Sequence, residues 1–148
     1  MQGLAIRIGI IAAIIIGGLL LRPFLSGSAS DLNVGDCFDV PTESVDIEDV
    51  QHHPCDQAHS GEVFYVGDLS AADGAAYPDQ DSLSAEVFAI CDPAFVSYTG
   101  KDSNTDPEWS YGFFYPNEEG WGDNDRQIIC YASRLDGGTT STSIKAGS

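Results

Sequence analysis

Apolar positions along the chain repeat with three different periods, and each period points to a different element. Over residues 8–21 the run IGIIAAIIIGGLLL is apolar without interruption, and Leu4, Ala5 and Ile6 extend it past Arg7. Further on, short stretches of β-branched and aromatic residues lie between turn formers and read as strands. They are residues 32–40, ended by Pro41, a weakly patterned 45–51, then 61–69, 109–116 and 126–135. The last is the strongest. In it Ile128 and Cys130 share one face, while Ile129 and Tyr131 share the other.

Between the third and fourth of these stretches the period lengthens. Leu83, Val87, Ile90 and Cys91 recur at three- and four-residue spacing, which predicts a helix with one apolar face. Asp81 or Ser82 can cap its start. Pro93 is expected to kink or interrupt it, because the ring clashes with the carbonyl four residues back. Asp92 can cap a continuation through Ala94, Phe95 and Tyr98, stopping near Gly100. Residues 71–80 and 101–108 read as loops, NEEGWGDND as a turn, and the Gly/Ser/Thr-rich stretch 137–148 as a flexible tail. Strands, one helix, then strands make an α+β domain: a small, mostly antiparallel sheet with one main helix packed on it.

Fourteen uncharged residues are few for a spanning helix. Snorkelling of Arg7 and Arg22 lets the segment from Leu4 to Leu25 cross a bilayer. We read residues 1–25 as an uncleaved transmembrane anchor, 26–31 as a linker and 32–136 as the exported domain. A removed signal peptide, cleaved within SGSAS, fits the same spacing. Arg7 and the free amino group favour an inside N-terminus, and Arg22 opposes that bias.

Charge sharpens the division. All 23 carboxylates lie from Asp31 onward, against Lys101, Arg126, Arg134 and Lys145, and the whole chain carries a formal charge of −17. So acidic a surface repels nucleic acid, anionic headgroups and acidic wall polymers, and it attracts cations and basic partners. Cys37, Cys55, Cys91 and Cys130 are even in number, widely spaced and free of any CxxC pair. In an exported domain that spacing favours two disulfides over a zinc site. Of the three possible pairings we choose Cys37–Cys55, joining the first strand to the segment before Gly61. We pair Cys91 with Cys130, because a helix packed on the sheet brings the one over the other.

Candidate chemistry concentrates in HHPCDQAHSGE. His59 and Glu62 form an H-x-x-E spacing, without the helical H-E-x-x-H of zinc proteases. Asp56 and His59 are expected to bond the turn beside Cys55, Glu62 to meet Arg126, and His52 and His53 to be exposed. Asp102, Asn104 and Asp106 alternate like the opening of a calcium loop. Pro107 then stands where that loop needs glycine, and Phe113 where it needs glutamate. Trp109, Tyr111, Phe113, Phe114, Tyr115 and Trp121 are dense enough for a sugar-stacking platform, but alternation commits one of their faces to the core. No serine sits in a G-x-S-x-G elbow.

The combination of VGDCF, PCDQAHSGEVF, a helical cysteine at Cys91 and the block WGDNDRQIICY resembles the septum formation family of actinobacterial envelope proteins. In that family the block is similar to tryptophan, then Gly-Asp-Arg, then cysteine. Asp125 and Arg126 match its last two positions, and Asn124 stands in place of the glycine, which bears on the geometry of that turn. The resemblance implies an extracytoplasmic module, often membrane-tethered and tied by name to division, and it supports the cysteine pairing. The expected function is a non-enzymatic, membrane-tethered interaction module for septum or envelope assembly. Its partner is expected to be an envelope or division protein, with no cofactor. The alternative is a metal-dependent envelope enzyme or metal-binding protein using His59 and Glu62 or the Asp102 loop.

Overall fold

The alternation in QIICYASR fixes the layers. In the computed structural model, which describes residues 28–41 and 50–148, these residues form an inner strand of a five-stranded antiparallel sheet. The strands are β1 (Cys37–Asp39), β2 (Gln51–His53), β3 (Gly61–Asp68), β4 (Trp109–Phe114) and β5 (Gln127–Arg134), in the order β2-β1-β3-β5-β4. Ile128, Cys130 and Ala132 face one apolar cluster, and Ile129 and Tyr131 face another. A bulge in β3 between Val63 and Tyr65 turns Phe64 and Tyr65 both to the first side.

The main helix α1 (Gln80–Thr99) covers that first side, burying Leu83, Val87, Cys91, Phe95 and Thr99. Its cap is Asp79, upstream of both expected candidates, with Oδ1 3.0 Å from the Ser82 amide and Oδ2 2.8 Å from its hydroxyl. Pro93 does not interrupt α1 as expected. Cys91 and Phe95, each fully buried, hold the helix on both sides of it, while Pro93 and Ala89 face solvent. Water can therefore serve the Ala89 carbonyl that loses its donor. Gly100 ends the helix at φ 70°, the left-handed position of a C-cap.

Other expectations change. The strand expected at 45–51 lies mostly outside the described residues, and the strand observed is β2. Its His52 and His53 are half-buried, not exposed, because they pair with Phe38 and Cys37. The linker expected at 26–31 is already structured at its end: Ala29–Asp31 make a 3-10 turn, and Ala29 and Leu32 are buried in the second cluster. The turn after β4 contains a short helix, α2 (Glu118–Gly122), capped by Asn117. The tail expected to be loose is docked, with Thr140 paired to His59 and Ile144 buried. The anchor expected at 1–25 lies outside the described residues, and among those described no helix is long and apolar enough to cross a membrane.

Both expected disulfides are present. Cys37–Cys55 ties β1 to the turn after β2, with Cα atoms 5.3 Å apart, and Cys91–Cys130 ties α1 to β5 at 5.9 Å. The bonds span 18 and 39 residues. Chain entropy assigns the shorter loop about 3 kcal/mol and the longer about 4 kcal/mol. Replacing Cys91 and Cys130 together by alanine is therefore expected to lower the unfolding free energy by about 4 kcal/mol, against about 3 kcal/mol for the Cys37/Cys55 pair. Denaturant midpoints check the order of the two losses.

Candidate functional site

Glu62 is the second residue of β3, and the register sets it opposite Ala132 and Cys37. Its side chain is buried at 2 % exposure. Three donors converge on it. Tyr98 Oη from the last turn of α1 and Ser143 Oγ from the tail donate to Oε1 at 2.8 and 2.7 Å. The Ile144 amide donates to Oε2 at 2.8 Å. The Ala146 amide then bonds the Tyr98 carbonyl at 2.9 Å, closing the tail over the helix end.

His59, at 1 % exposure, sits just before β3. Its backbone exchanges two hydrogen bonds with Thr140, both 2.9 Å. Nδ1 lies 2.7 Å from the Gln57 carbonyl, so Nδ1 carries the proton, and Nε2 has no partner among the described residues. Asp56 is exposed in the turn beside Cys55.

Arg126 does not reach Glu62. The ladder pairs Glu62 with Ala132 and Asp68 with Gln127, which puts the two side chains at opposite ends of β3 and β5. That separation is about 20 Å at the usual rise per residue. Arg126 instead lies 3.9 Å over the Trp121 ring, a cation–π stack, and donates to the Trp121 and Asp125 carbonyls at 2.8 and 2.7 Å. The turn that delivers it passes through Asn124 at φ 64°, the one positive-φ non-glycine residue described. Asparagine tolerates the left-handed region that most side chains avoid. Asn124 Oδ1 also accepts the Gly74 amide at 3.0 Å. His59, Glu62, Arg126 and Asp56, the polar residues singled out in the sequence, thus do not form one patch: Glu62 is a fastening point for the tail, and Arg126 a fastening point for the α2 turn.

The calcium-like loop satisfies itself. Asp102 Oδ1 takes the Asn104 amide, while Asp106 Oδ1 takes the Glu108 and Trp109 amides and Oδ2 pairs with Lys101 at 3.2 Å. These bonds, the Glu108 amide first, hold the Asp106 carboxyl below the ordinary carboxylate value. Among the described residues, atoms of Cys37, Cys55 and Glu62 lie within 4.8 Å of one another. The two sulfurs are bonded together, and a metal ligand at cysteine needs the thiolate. Of the aromatics, Tyr111 packs edge-on against Phe64, Phe113 lies edge-on to Phe88, and Trp109 sits under Arg134. Phe114 lies in the second cluster with Phe38 and Tyr131.

The partners of Glu62 escaped the sequence reading because they come from 36 and 82 residues away. One signal existed: Ile144 is a lone large apolar residue in a Gly/Ser/Thr tail. The family comparison extends over that tail. A family model described as septum formation matches residues 34–147, so the chain belongs to the septum formation family. Comparison with curated proteins and with solved structures gives no match.

Glu62→Ala leaves two hydroxyls and one amide without their acceptor, an expected loss of about 3 to 5 kcal/mol in a denaturant titration. The Ile144 amide should lose hydrogen-exchange protection in the same variant. A second test uses alkali. Burial first, then the hydrogen bond to Glu62, raises the Tyr98 hydroxyl above its ordinary value, and burial with the bond to Asp92 does the same for Tyr111. A folded-state value above the unfolded one stabilises the protonated form. The contribution is complete below about pH 10 and is lost as pH rises beyond it. Tyr98→Phe and Tyr111→Phe should each flatten the fall in stability above pH 10 that the parent protein shows.

Proposed function

We propose that this member of the septum formation family serves division as a membrane-tethered, extracytoplasmic docking module without catalytic chemistry of its own. The observation that carries the reading is the use made of its polar residues. Glu62, the carboxylate best shielded from solvent among the described residues, accepts three bonds that hold the tail and the helix end. Arg126 is engaged by Trp121 and by backbone carbonyls. A general base needs a free oxygen within reach of a substrate proton, and this arrangement supports a fastening role instead. Two disulfides fit an oxidising compartment outside the cytoplasm. The uncharged run at 8–21 supplies the tether.

A fusion of the full chain to a fluorescent protein that matures outside the cytoplasm is expected to gather at division septa. Depletion of the chain is expected to lengthen cells between septa, and Glu62→Gln protein that still folds should restore them. Uniform labelling with normal septation overturns the division role. Failure of a folded Glu62→Gln protein to restore septa turns the reading toward a catalytic carboxylate.

A further inference from the structure

Strand β4 is an outer strand of the sheet, and it lacks the devices that usually blunt an edge. Its six residues, WSYGFF, include no charge and no proline, and its pairing with β5 contains no bulge. Pro107 and Pro116 bracket it. In an antiparallel pair, alternate residues turn both backbone groups toward the neighbour and the rest turn away from it. The bond from the Leu135 amide to the Glu108 carbonyl sets that phase, so Ser110, Gly112 and Phe114 face β5. Trp109, Tyr111 and Phe113 face outward. Asp106 Oδ1 takes the Trp109 amide at 2.9 Å, as an outward-facing donor permits. Among the described residues no backbone group pairs with Tyr111 or Phe113 on that side.

The surface beside this edge is mostly apolar, interrupted by Asp92, whose Oδ1 accepts from the Tyr111 and Ser103 hydroxyls. Phe88, 47 % exposed on α1, stands edge-on to Phe113 with ring centroids 6.0 Å apart, and Phe113 lies 5.9 Å from Tyr115. Along α1 the exposed positions Ala85, Phe88, Ala89, Pro93 and Val96 carry no charge, in a chain of net charge −17. Exposed carboxylates lie beyond both ends of β4: Glu108 before it, 4.0 Å from Arg134 Nη1, and Glu118 and Glu119 after it, the more acidic end. A second copy is a poor occupant, because antiparallel pairing of β4 with itself brings Glu108 of each copy toward Glu118 and Glu119 of the other.

We propose that the outer edge of β4 is a docking site for an extended apolar segment of a partner protein flanked at both ends by lysine or arginine. The segment adds as a sixth strand, exchanging hydrogen bonds with the backbones of Tyr111 and Phe113. Its inward side chain lodges against Phe88 and Phe113, and its basic ends meet the carboxylates that keep copies of this chain apart. The inference rests on the docking role proposed above and gives it a surface and a partner chemistry.

The test follows backbone amides of the full chain, isotope-labelled in detergent micelles, by hydrogen exchange. In the free protein Tyr111 and Phe113 are expected to exchange much faster than Ser110, Gly112 and Phe114. A synthetic peptide alternating valine and threonine, with paired lysines at both ends, should slow Tyr111 and Phe113 by roughly tenfold or more at saturation. Phe88→Ser, or N-methylation of the peptide's inward-facing amides, should weaken binding roughly tenfold. Replacing the peptide's lysines by glutamates should abolish it. Tyr111 and Phe113 already protected in the free monomer, self-association that protects them, or equal binding of the N-methylated or glutamate peptide overturns the inference. Septal localisation that survives Phe88→Ser together with any of those results leaves the docking role standing and places it on another face.

Discussion

A carboxylate buried with no cation beside it among the described residues is the constraint around which the domain closes. Withdrawing a charge from water costs several kcal/mol unless hydrogen bonds replace the lost solvation. Glu62 obtains those bonds from two places far apart in sequence, the end of α1 and the C-terminal tail. The helix must therefore end where Tyr98 reaches β3, and the tail must return across the sheet. His59 follows from the same return, since the Thr140 pairing extends the contact by one short bridge. The acid holds three segments at one point, and opening that point breaks all three hydrogen bonds together.

The two disulfides divide the remaining labour by layer. Cys91–Cys130 joins the helix layer to the sheet, inside the cluster that holds Phe64, Phe95 and Trp121. Cys37–Cys55 binds the other margin of the sheet, where β1 and β2 are three residues each and offer little ladder of their own. The far margin, β4, is held by its six-pair ladder with β5 and by side-chain packing. Gly112 is required there because a Cβ would fall 2.4 Å from the Tyr131 hydroxyl, whose ring covers the strand. The same packing supports a straight strand with an open outer side.

What the sequence disclosed followed period and covalent chemistry. Alternation in QIICY placed Ile128 and Cys130 opposite Ile129 and Tyr131, and that assignment led to the cysteine pairing. Helical spacing gave the face of α1, but its start was misplaced because Asp79, Asp81 and Ser82 are all competent caps. Pro93 misled because propensity weighs a single residue, whereas Cys91 and Phe95 hold the helix on both sides of it. Glu62 was assigned the wrong partner. Opposite charge suggested Arg126, yet strand register set the two apart. Register is decided by all the pairs of a ladder together, and a motif of a few residues does not contain it. Asn124, where the resembling family has glycine, was readable as a backbone question, and its left-handed φ answers it.

The early burial of Ala29 and Leu32 has a mechanical consequence. Ser28 caps the 3-10 turn with its hydroxyl, and Leu32 is buried at 2 % exposure. A pull on the backbone at Ser28 therefore reaches the cluster of Phe38, Val63 and Tyr131 within a few residues, with no loose stretch between turn and core to absorb it. Force entering at that end is borne by the sheet itself.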